Sequence, residues 1–315
     1  MIIFLKAIYL YLIKNKIWSS FVFLLFCLGG ILLFLFISEL TLYYHEVECK
    51  ALSLIITDNR PIPIQPFSSV RVNNTHPFYW GTHNSYHIQT KGDVVASHMY
   101  THPFLKTQLD MGIRSLELDV HPNLLVYHVA FIDQQSNCVC FASCLVEIMD
   151  WIREQKPPYQ LALITVMIEM KRDPFDTYLG KNTSYALQIE RMENLIQSII
   201  PDSLLVKAQE VDCSDTIQWP MHRYYPFKIA FLLDNENIKE TSYSSLFFTL
   251  EHGDCVSCCF AKRDDPYRDF SSLVQRGVLV RTRADNVVLN KTRAEQAKKS
   301  GAQLISTDFE WIYVI

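Results

Sequence analysis

Two apolar stretches that carry acids decide the fold: Ser-Leu-Glu-Leu-Asp-Val at residues 115–120, and Ala-Leu-Ile-Thr-Val-Met-Ile-Glu-Met-Lys at residues 162–171. Short runs of Leu, Ile and Val are typical of strands that are buried in a parallel sheet. Side chains alternate between the two faces of a strand, so Glu117 and Asp119 point to one face and the apolar residues around them to the other. Acids on the inner face of a buried strand are costly unless they are paired or bind a cation.

The segments around these two stretches indicate an α/β protein. Further strands are predicted at residues 78–82, 124–129, 228–233, 278–281 and 304–306. Helices are predicted between them, at residues 102–112, 141–154, 185–200 and 292–301, the last opened by a capping box from Thr292 to Glu295. Strands that alternate with helices over about 240 residues predict a parallel sheet, and the length fits a closed (β/α) barrel. An open doubly wound sheet is the alternative, but no Gly-x-Gly-x-x-Gly motif follows a strand.

The composition excludes two broad classes of protein. The chain has 315 residues, of which 49% are hydrophobic and 20% are charged, so it is too apolar for a disordered chain. It has 29 basic and 33 acidic residues, a formal net charge of −4. This charge is small and of the wrong sign for a protein that binds nucleic acid.

The N-terminal part of the chain predicts a membrane anchor. Residues 17–44 are almost continuously apolar, and Glu39 is their only charged residue. About 20 apolar residues suffice to cross a bilayer, whereas a cleaved signal peptide, the alternative, has a shorter apolar region and a small-residue cleavage site. Basic residues precede the stretch and acidic residues follow it, which predicts a cytosolic N terminus. We therefore expect a single-pass membrane protein whose remaining chain is lumenal or extracellular.

The domain organisation follows from this anchor. Three prolines lie within residues 57–68, which predicts an extended linker after the anchor. We predict four parts: a cytosolic or interfacial segment at 1–16, the transmembrane signal anchor at 17–44, a Pro-rich linker at 45–70, and a catalytic barrel at 71–315.

The cysteines favour an oxidising compartment. Eight of the nine follow the anchor, an even number that suits disulfides, although their connectivity cannot be read from the sequence. Zinc binding by Cys138 and Cys140, or by Cys255, Cys258 and Cys259, is the alternative. Three glycosylation sequons, at Asn73, Asn182 and Asn290, agree with the same topology and predict a glycoprotein.

Polar residues at the predicted strand ends suggest chemistry. Asn84, Glu117, Asp119 and Glu169 offer the oxygen donors that Ca²⁺ prefers, although salt bridges, for example to Arg114, are the alternative for the acids. His83 and His128 are a natural acid–base pair near neutral pH. Lys171, and more weakly Arg283, are candidates for contacts to an anionic substrate group.

Four segments carry a resemblance to a known family: Gly-Thr-His-Asn-Ser-Tyr-His at 81–87, Gly-Ile-Arg-Ser-Leu-Glu-Leu-Asp-Val at 112–120, Tyr-His-Val at 127–129 and Ile-Glu-Met-Lys at 168–171. The sequence resembles the phosphoinositide-specific phospholipase C family, in its compact calcium-dependent branch that is little more than the catalytic barrel. The resemblance implies a TIM-type barrel with two catalytic histidines, His83 and His128. It also implies four Ca²⁺ ligands, which match Asn84, Glu117, Asp119 and Glu169.

The resemblance implies a calcium-dependent phosphodiesterase that cleaves phosphatidylinositol-type lipids. The inositol 2-hydroxyl attacks the phosphorus, and diacylglycerol and a cyclic or opened inositol phosphate result. Because the expected topology faces away from the cytosol, plain phosphatidylinositol or a glycolipid anchor is the expected headgroup. Two alternatives remain open: a related barrel phosphodiesterase with another headgroup, and a catalytically silent membrane-tethered homologue.

Overall fold

The structure is a computed structural model that describes residues 17–55, 78–91, 95–155, 162–172, 183–214, 216–217, 219, 227–234, 244–286 and 288–309. The predicted N-terminal segment at 1–16, the prolines of residues 57–68, and Asn73 and Asn182 of the sequons lie outside these residues. The chain divides into two compact units, Met1–Val47 and Glu48–Ile315.

Nine parallel strands form the sheet of the second unit. They are β1 (Tyr79–Thr82), β2 (Ser115–Val120), β3 (Ala162–Met170), β4 (Leu205–Val206), β5 (Phe227–Leu233), β6 (Phe248–Glu251), β7 (Phe260–Lys262), β8 (Leu279–Arg283) and β9 (Leu304–Thr307). Eight of them close into a ring in the order β1-β2-β3-β5-β6-β7-β8-β9, because β9 pairs with β1 and β3 pairs with β5. The short β4 pairs with β5 outside this ring. The prediction of a TIM-type barrel is confirmed.

The helices of the described residues are α1 (Ile17–Ile55), α2 (Leu105–Asp110), α3 (Phe141–Glu154), α4 (Tyr185–Ile199), α5 (Ser271–Gln275) and α6 (Lys291–Lys299). Single 3₁₀ turns lie at Ala96–His98, Asp202–Leu204 and Ala208–Glu210. The hydroxyl of Ser184 accepts a hydrogen bond from the Leu187 amide and so caps α4. In α6 the cap is Asn290, which accepts from the Arg293 amide, so the predicted capping box from Thr292 is wrong by two residues.

The helix α1 is longer than the predicted anchor. It continues through residues 45–55, which the sequence analysis assigned to the linker. Its segment Leu24–Cys49 is long and apolar enough to cross a membrane, by length and composition alone. Insertion of this segment into a membrane remains a prediction.

Strand register fixes which side chains face the inside of the barrel. Gly81 pairs with Ser115 and Ser306, and Asp119 pairs with Glu169, so alternate residues of neighbouring strands share the inner face. The middle of the barrel is filled by buried apolar side chains, namely Met167, Leu232, Leu250, Phe260 and Leu304. Further along each strand, towards its carboxyl end, the inward positions become polar. The barrel therefore has a charged mouth and an apolar interior beneath it.

One strand prediction is wrong, and three strands were missed. Residues 124–129 do not form a strand; they lie in the loop after β2 and make isolated bridges, such as Val120 with Val126 and Leu125 with Cys140. The strands β4, β6 and β7 were not predicted. They have 2, 4 and 3 residues, which is too short for a clear alternation of apolar and polar positions.

All eight cysteines after the predicted anchor are paired as disulfides, so the alternative that some of them bind zinc is wrong. The pairs are Cys49–Cys140, Cys138–Cys144, Cys213–Cys259 and Cys255–Cys258. The first pair joins a residue near the end of α1 to the residue that precedes α3. Cys27, within α1, is free.

Candidate active site

His83 lies directly after β1, against a buried carboxylate. Its Nδ1 is 2.8 Å from Asp308 Oδ1, and its Nε2 is 3.6 Å from Glu117 Oε1. Burial raises the pKa of Asp308, but the hydrogen bond from His83 and the charge of Arg283 lower it to about 2. An ionised Asp308 holds a proton on Nδ1 of His83 and directs Nε2 into the barrel mouth. Asp308 follows β9, and the sequence analysis did not assign it a role.

Glu117 and Asp119 point inward from β2, as their spacing predicted. Both are fully buried, and Arg281 Nη2 lies 2.9 Å from Glu117 Oε2. Arg114, the partner considered for these acids in the sequence analysis, instead stacks over Trp151 at 4.7 Å. Glu117 is therefore paired, but with a cation from β8, which is not a neighbour of β2.

Asp119 combines an ion pair with an unsatisfied oxygen. Its Oδ2 lies 3.0 Å from Lys171 Nζ, and its Oδ1 has no hydrogen-bond partner among the described residues. Burial raises the pKa of Asp119 to about 6, although Lys171 and His128 lower it. A fully buried carboxylate oxygen without a donor is the kind of atom that a bound cation would satisfy.

Lys171 lies between two of the predicted Ca²⁺ ligands. Its Nζ is 2.8 Å from Glu169 Oε1 and 3.0 Å from Asp119 Oδ2. Burial lowers the pKa of Lys171, but the two carboxylates raise it to about 12. The ammonium group is therefore charged and is paired with two acids of the protein.

Asn84 turns its amide towards the barrel mouth from a left-handed backbone conformation, with a φ of 47°. Asparagine tolerates this conformation better than most residues. Its Nδ2 donates to the Tyr100 hydroxyl at 3.1 Å, and this bond orients the amide. The amide is buried.

The four predicted ligands fit Ca²⁺ by their chemistry. All four offer oxygen atoms, and Asp119 has an unsatisfied one. Their carboxylates are not drawn together: among the described residues, the only group of three or more His, Cys, Asp or Glu with ligand atoms within 4.8 Å of one another is His98, His128 and Asp133. The assignment of Asn84, Glu117, Asp119 and Glu169 as ligands stays a prediction.

His128 lies in the loop between β2 and α3, where three histidines surround one acid. Its Nδ1 is 2.9 Å from Asp133 Oδ2, and Asp133 is fully buried. The Nε2 of His87 is 2.9 Å from the same oxygen, and Nδ1 of His98 is 3.5 Å from it. Burial raises the pKa of Asp133, but the hydrogen bonds from His128 and His87 hold it well below its usual value.

Arg283 contributes to a cleft beside His83. Its Nη2 lies 2.6 Å from Asp285 Oδ1 and 2.7 Å from Asp308 Oδ2. Burial lowers the pKa of Arg283, but these two acids raise it above its usual range. The cleft has a volume of about 180 Å³ and is lined by His83, Arg283, Asp285, Asp308, Asp264 and Arg293, among others.

A second group of charged residues lies on the far side of the mouth and was missed in the sequence. Asp234, directly after β5, contacts His252 Nε2 at 2.6 Å and Lys262 Nζ at 2.7 Å. Burial and Arg281 lower the pKa of Lys262, but the nearby carboxylates, among them Glu117 and Asp234, raise it. The sequence contained a signal for this group, because the acid Asp234 follows a predicted apolar strand, just as Glu169 lies at the end of one.

Together, the fold and the mouth define a barrel enzyme that carries paired histidines and acids at the carboxyl ends of parallel strands, where barrel enzymes have their active sites. The chain belongs to the Ca²⁺-dependent phosphoinositide phospholipase C family, whose model matches residues 120–313. It is therefore a phosphodiesterase with Ca²⁺ as its cofactor and an inositol phospholipid as its substrate. The matched residues include His128, Glu169, Lys171 and Arg283, whereas His83, Asn84, Glu117 and Asp119 precede them.

One solved structure agrees on the fold. The chain is similar to a calcium-dependent phosphoinositol-specific phospholipase C from Pseudomonas sp., with 14% identity over 73% of this chain and 88% of that chain, and a TM-score of 0.51. It is less similar to the phosphatidylinositol-specific phospholipase C of Listeria monocytogenes, with 16% identity over 73% and 87% of the two chains and a TM-score of 0.47. No curated protein matches the chain.

Proposed function

We propose that the protein cleaves phosphatidylinositol-type lipids into diacylglycerol and a cyclic inositol phosphate. One observation carries the proposal: His83 and His128 both lie at the carboxyl end of the barrel, and each holds its Nδ1 against a buried carboxylate. This arrangement leaves Nε2 of each ring to exchange protons with a substrate.

The reaction needs one base and one acid. His83 Nε2 takes the proton of the inositol 2-hydroxyl, and the oxygen attacks the adjacent phosphorus within the same molecule. The bond from phosphorus to the glycerol oxygen breaks, and His128 Nε2 donates a proton to that oxygen. Asp308 and Asp133 hold the two rings in place during the reaction. Water can then open the cyclic product.

Asn84, Glu117, Asp119 and Glu169 would hold the Ca²⁺ ion of this family. When bound, the ion neutralises negative charge on the reacting phosphate and favours ionisation of the hydroxyl. Lys171 would have to leave at least one of its two carboxylates for these residues to bind a cation together.

Lys171 and Arg283 are proposed to contact the phosphate or the inositol ring. The charges at the mouth support a headgroup with few phosphates, such as plain phosphatidylinositol or a glycolipid anchor. Four of the five cations described there are each paired with at least one carboxylate of the protein, namely Lys171, Lys262, Arg281 and Arg283. The fifth, Arg293, donates to the backbone carbonyl of Asp264. A ring with additional phosphates would have to compete with these carboxylates.

We also propose that α1 anchors the enzyme in a membrane, with the barrel lumenal or extracellular. Apolar side chains of α1, such as Phe26, Leu32 and Phe36, are exposed. The four disulfides suit an oxidising compartment, and the sequon residue Asn290 is exposed. An anchor would raise the local concentration of a lipid substrate.

The test measures cleavage of phosphatidylinositol vesicles by the full chain, with the products identified by ³¹P NMR. We expect a cyclic inositol phosphate, no cleavage after Ca²⁺ is chelated, and losses of about 100-fold or more in His83→Ala, His128→Ala and Asp308→Asn. His98→Asn is the matched control, because His98 borders the same acid as His128 but has no role in the reaction. Full activity of His83→Ala or His128→Ala would contradict the proposal, and a preference for glycerol or choline headgroups would favour the related phosphodiesterase.

A further inference from the structure

The cluster around Asp133 has more nitrogen ligands than the reaction needs. Three imidazoles face one buried carboxylate, and the proposed reaction uses only His128. Its neighbour His98 lies in the 3₁₀ turn Ala96–His98, and its Nδ1 is buried without a hydrogen-bond partner among the described residues. The 3.5 Å between this Nδ1 and Asp133 Oδ2 is long for a hydrogen bond.

We propose that His98, His128 and Asp133 form a second metal site, which binds a dication of the zinc class. Each residue offers one ligand atom, and these atoms lie within 4.8 Å of one another. Two imidazole nitrogens and one carboxylate oxygen suit zinc and its transition-metal neighbours, whereas Ca²⁺ takes oxygen ligands. Zinc bonds of about 2.1 Å in a tetrahedron separate their ligands by about 3.4 Å, close to the distance between His98 and Asp133.

The surroundings of the cluster resemble the outer layer of a protein metal site. His87 Nε2 donates to Asp133, while its Nδ1 is 2.9 Å from the Tyr100 carbonyl oxygen. His87 is therefore held between these two acceptors and fixes the Asp133 carboxylate. A tight turn also fixes Asp133, because Val129 and Asp133 exchange both backbone hydrogen bonds, at 3.0 and 2.9 Å.

An ion can reach the cluster from solvent. The side chains of His98 and His128 keep 15% and 22% of their surface exposed, while Asp133 is fully buried beneath them. A metal bound to His128 replaces its contact with Asp133 and ties the ring to the ion. If the proposed function is correct, His128 then no longer protonates the leaving group, so zinc inhibits an enzyme that Ca²⁺ activates.

The experiment titrates the full chain, saturated with Ca²⁺, with Zn²⁺ in a calorimeter, and with Co²⁺ as a spectroscopic probe of coordination. We expect one Zn²⁺ per chain and loss of lipid cleavage over the same concentration range. His98→Asn should bind Zn²⁺ more than about 10-fold more weakly, because even outer partners of metal ligands contribute factors of this size. Its calcium-dependent cleavage without zinc should remain within about twofold of wild type, which also shows that the variant folds.

His252→Asn is the matched control, because His252 also contacts a buried acid, Asp234, but belongs to no such cluster in the described residues. It should bind Zn²⁺ like the wild type. Unchanged zinc affinity in His98→Asn, or no binding of one Zn²⁺ in the wild type, would overturn the metal site. Binding that depends on His98 but leaves cleavage unchanged would keep the site and reject His128 as the acid of the proposed reaction.

Discussion

At the residue scale, the mouth of the barrel is a set of acids held by cations of the protein. Asp119 and Glu169 share Lys171, and Glu117 binds Arg281. A Ca²⁺ ion bound by the predicted ligands would compete with these cations for the same carboxylates. We therefore predict that the affinity for Ca²⁺ depends on residues that would not themselves bind it.

Replacing Lys171 tests this competition. Lys171→Met should lower the Ca²⁺ concentration for half-maximal activity by about fivefold, because one partly buried ion pair of roughly 1 kcal/mol no longer opposes binding. Cleavage at saturating Ca²⁺ should fall if Lys171 also contacts the substrate phosphate. Lys106→Met is the control, since Lys106 pairs with Glu154 and with none of the predicted ligands. A Ca²⁺ requirement that is the same in Lys171→Met and wild type would rule out the competition.

His102 links stability to pH. It is fully buried, with its Nε2 3.0 Å from the His83 carbonyl oxygen, and burial lowers its pKa from 6.5 to about 4. Between these values the unfolded chain binds a proton that the folded chain does not, so stability falls as the pH decreases through this window and is fully present above it. The shift corresponds to about 3 kcal/mol.

The matched variant is His102→Gln, which keeps a donor but does not titrate. Denaturant unfolding of the full chain at pH 7 and pH 4 should show a smaller acid-induced loss in the variant than in the wild type. Equal losses of stability on acidification in the two proteins would show that His102 does not cause the pH dependence. Other groups also titrate in this range, so only the difference between the two proteins is informative.

The residues of the site were partly predictable. His83, Glu117, Asp119 and Glu169 were found because polar residues at the ends of apolar strands are unusual, and the structure confirms that Glu117 and Asp119 share the inner face. Asp133 and Asp308 were missed, since their importance comes from histidines that are 5 and 225 residues away. The pair of His83 and Asp308 arises only when the barrel closes, and the pair of His128 and Asp133 lies in a loop without a regular sequence pattern.

At the scale of elements, the long strand β3 was predictable, whereas the short strands β4, β6 and β7 were not. The 9 residues of β3 form a clear apolar run, whereas β6 and β7 depend on neighbours that complete their pairing. The segment 124–129 is apolar enough for a strand, but its Leu124 has a φ of 64°, which breaks an extended chain. Tertiary context therefore overrides strand propensity in this loop.

Gly81 in β1 shows how closely two strands approach. A Cβ at this position would lie 2.8 Å from Ser115 Cβ and 2.9 Å from the Ser115 carbonyl oxygen. Gly81→Ala should therefore lower the free energy of unfolding by about 1–3 kcal/mol, because the backbone of β2 must move. In the control, Gly253→Ala, the added Cβ would meet only Glu251 Oε1, at 3.4 Å, and its stability should change little. Equal stability of Gly81→Ala and wild type in denaturant unfolding would contradict this packing.

At the scale of the whole molecule, the family, the barrel, the enzyme class and the use of Ca²⁺ were all predictable from the sequence and are confirmed. The membrane anchor, the topology and the glycosylation stay predictions. Their signals are composition and short motifs, which do not depend on the fold. The pairing of the cysteines was not predictable, because eight cysteines allow about 105 connectivities.

The bond between Cys49 and Cys140 has a consequence for release of the barrel from the proposed anchor. These two residues lie on opposite sides of the segment 56–77, so a protease that cuts within this segment leaves both fragments covalently joined. With a protease site engineered into residues 57–68, the cut protein should run as one species on a non-reducing gel and as two after reduction. In Cys49→Ser/Cys140→Ser, the cut should separate the fragments without a reductant. Shedding of the barrel thus requires two chemical events, hydrolysis of a peptide bond and reduction of one disulfide.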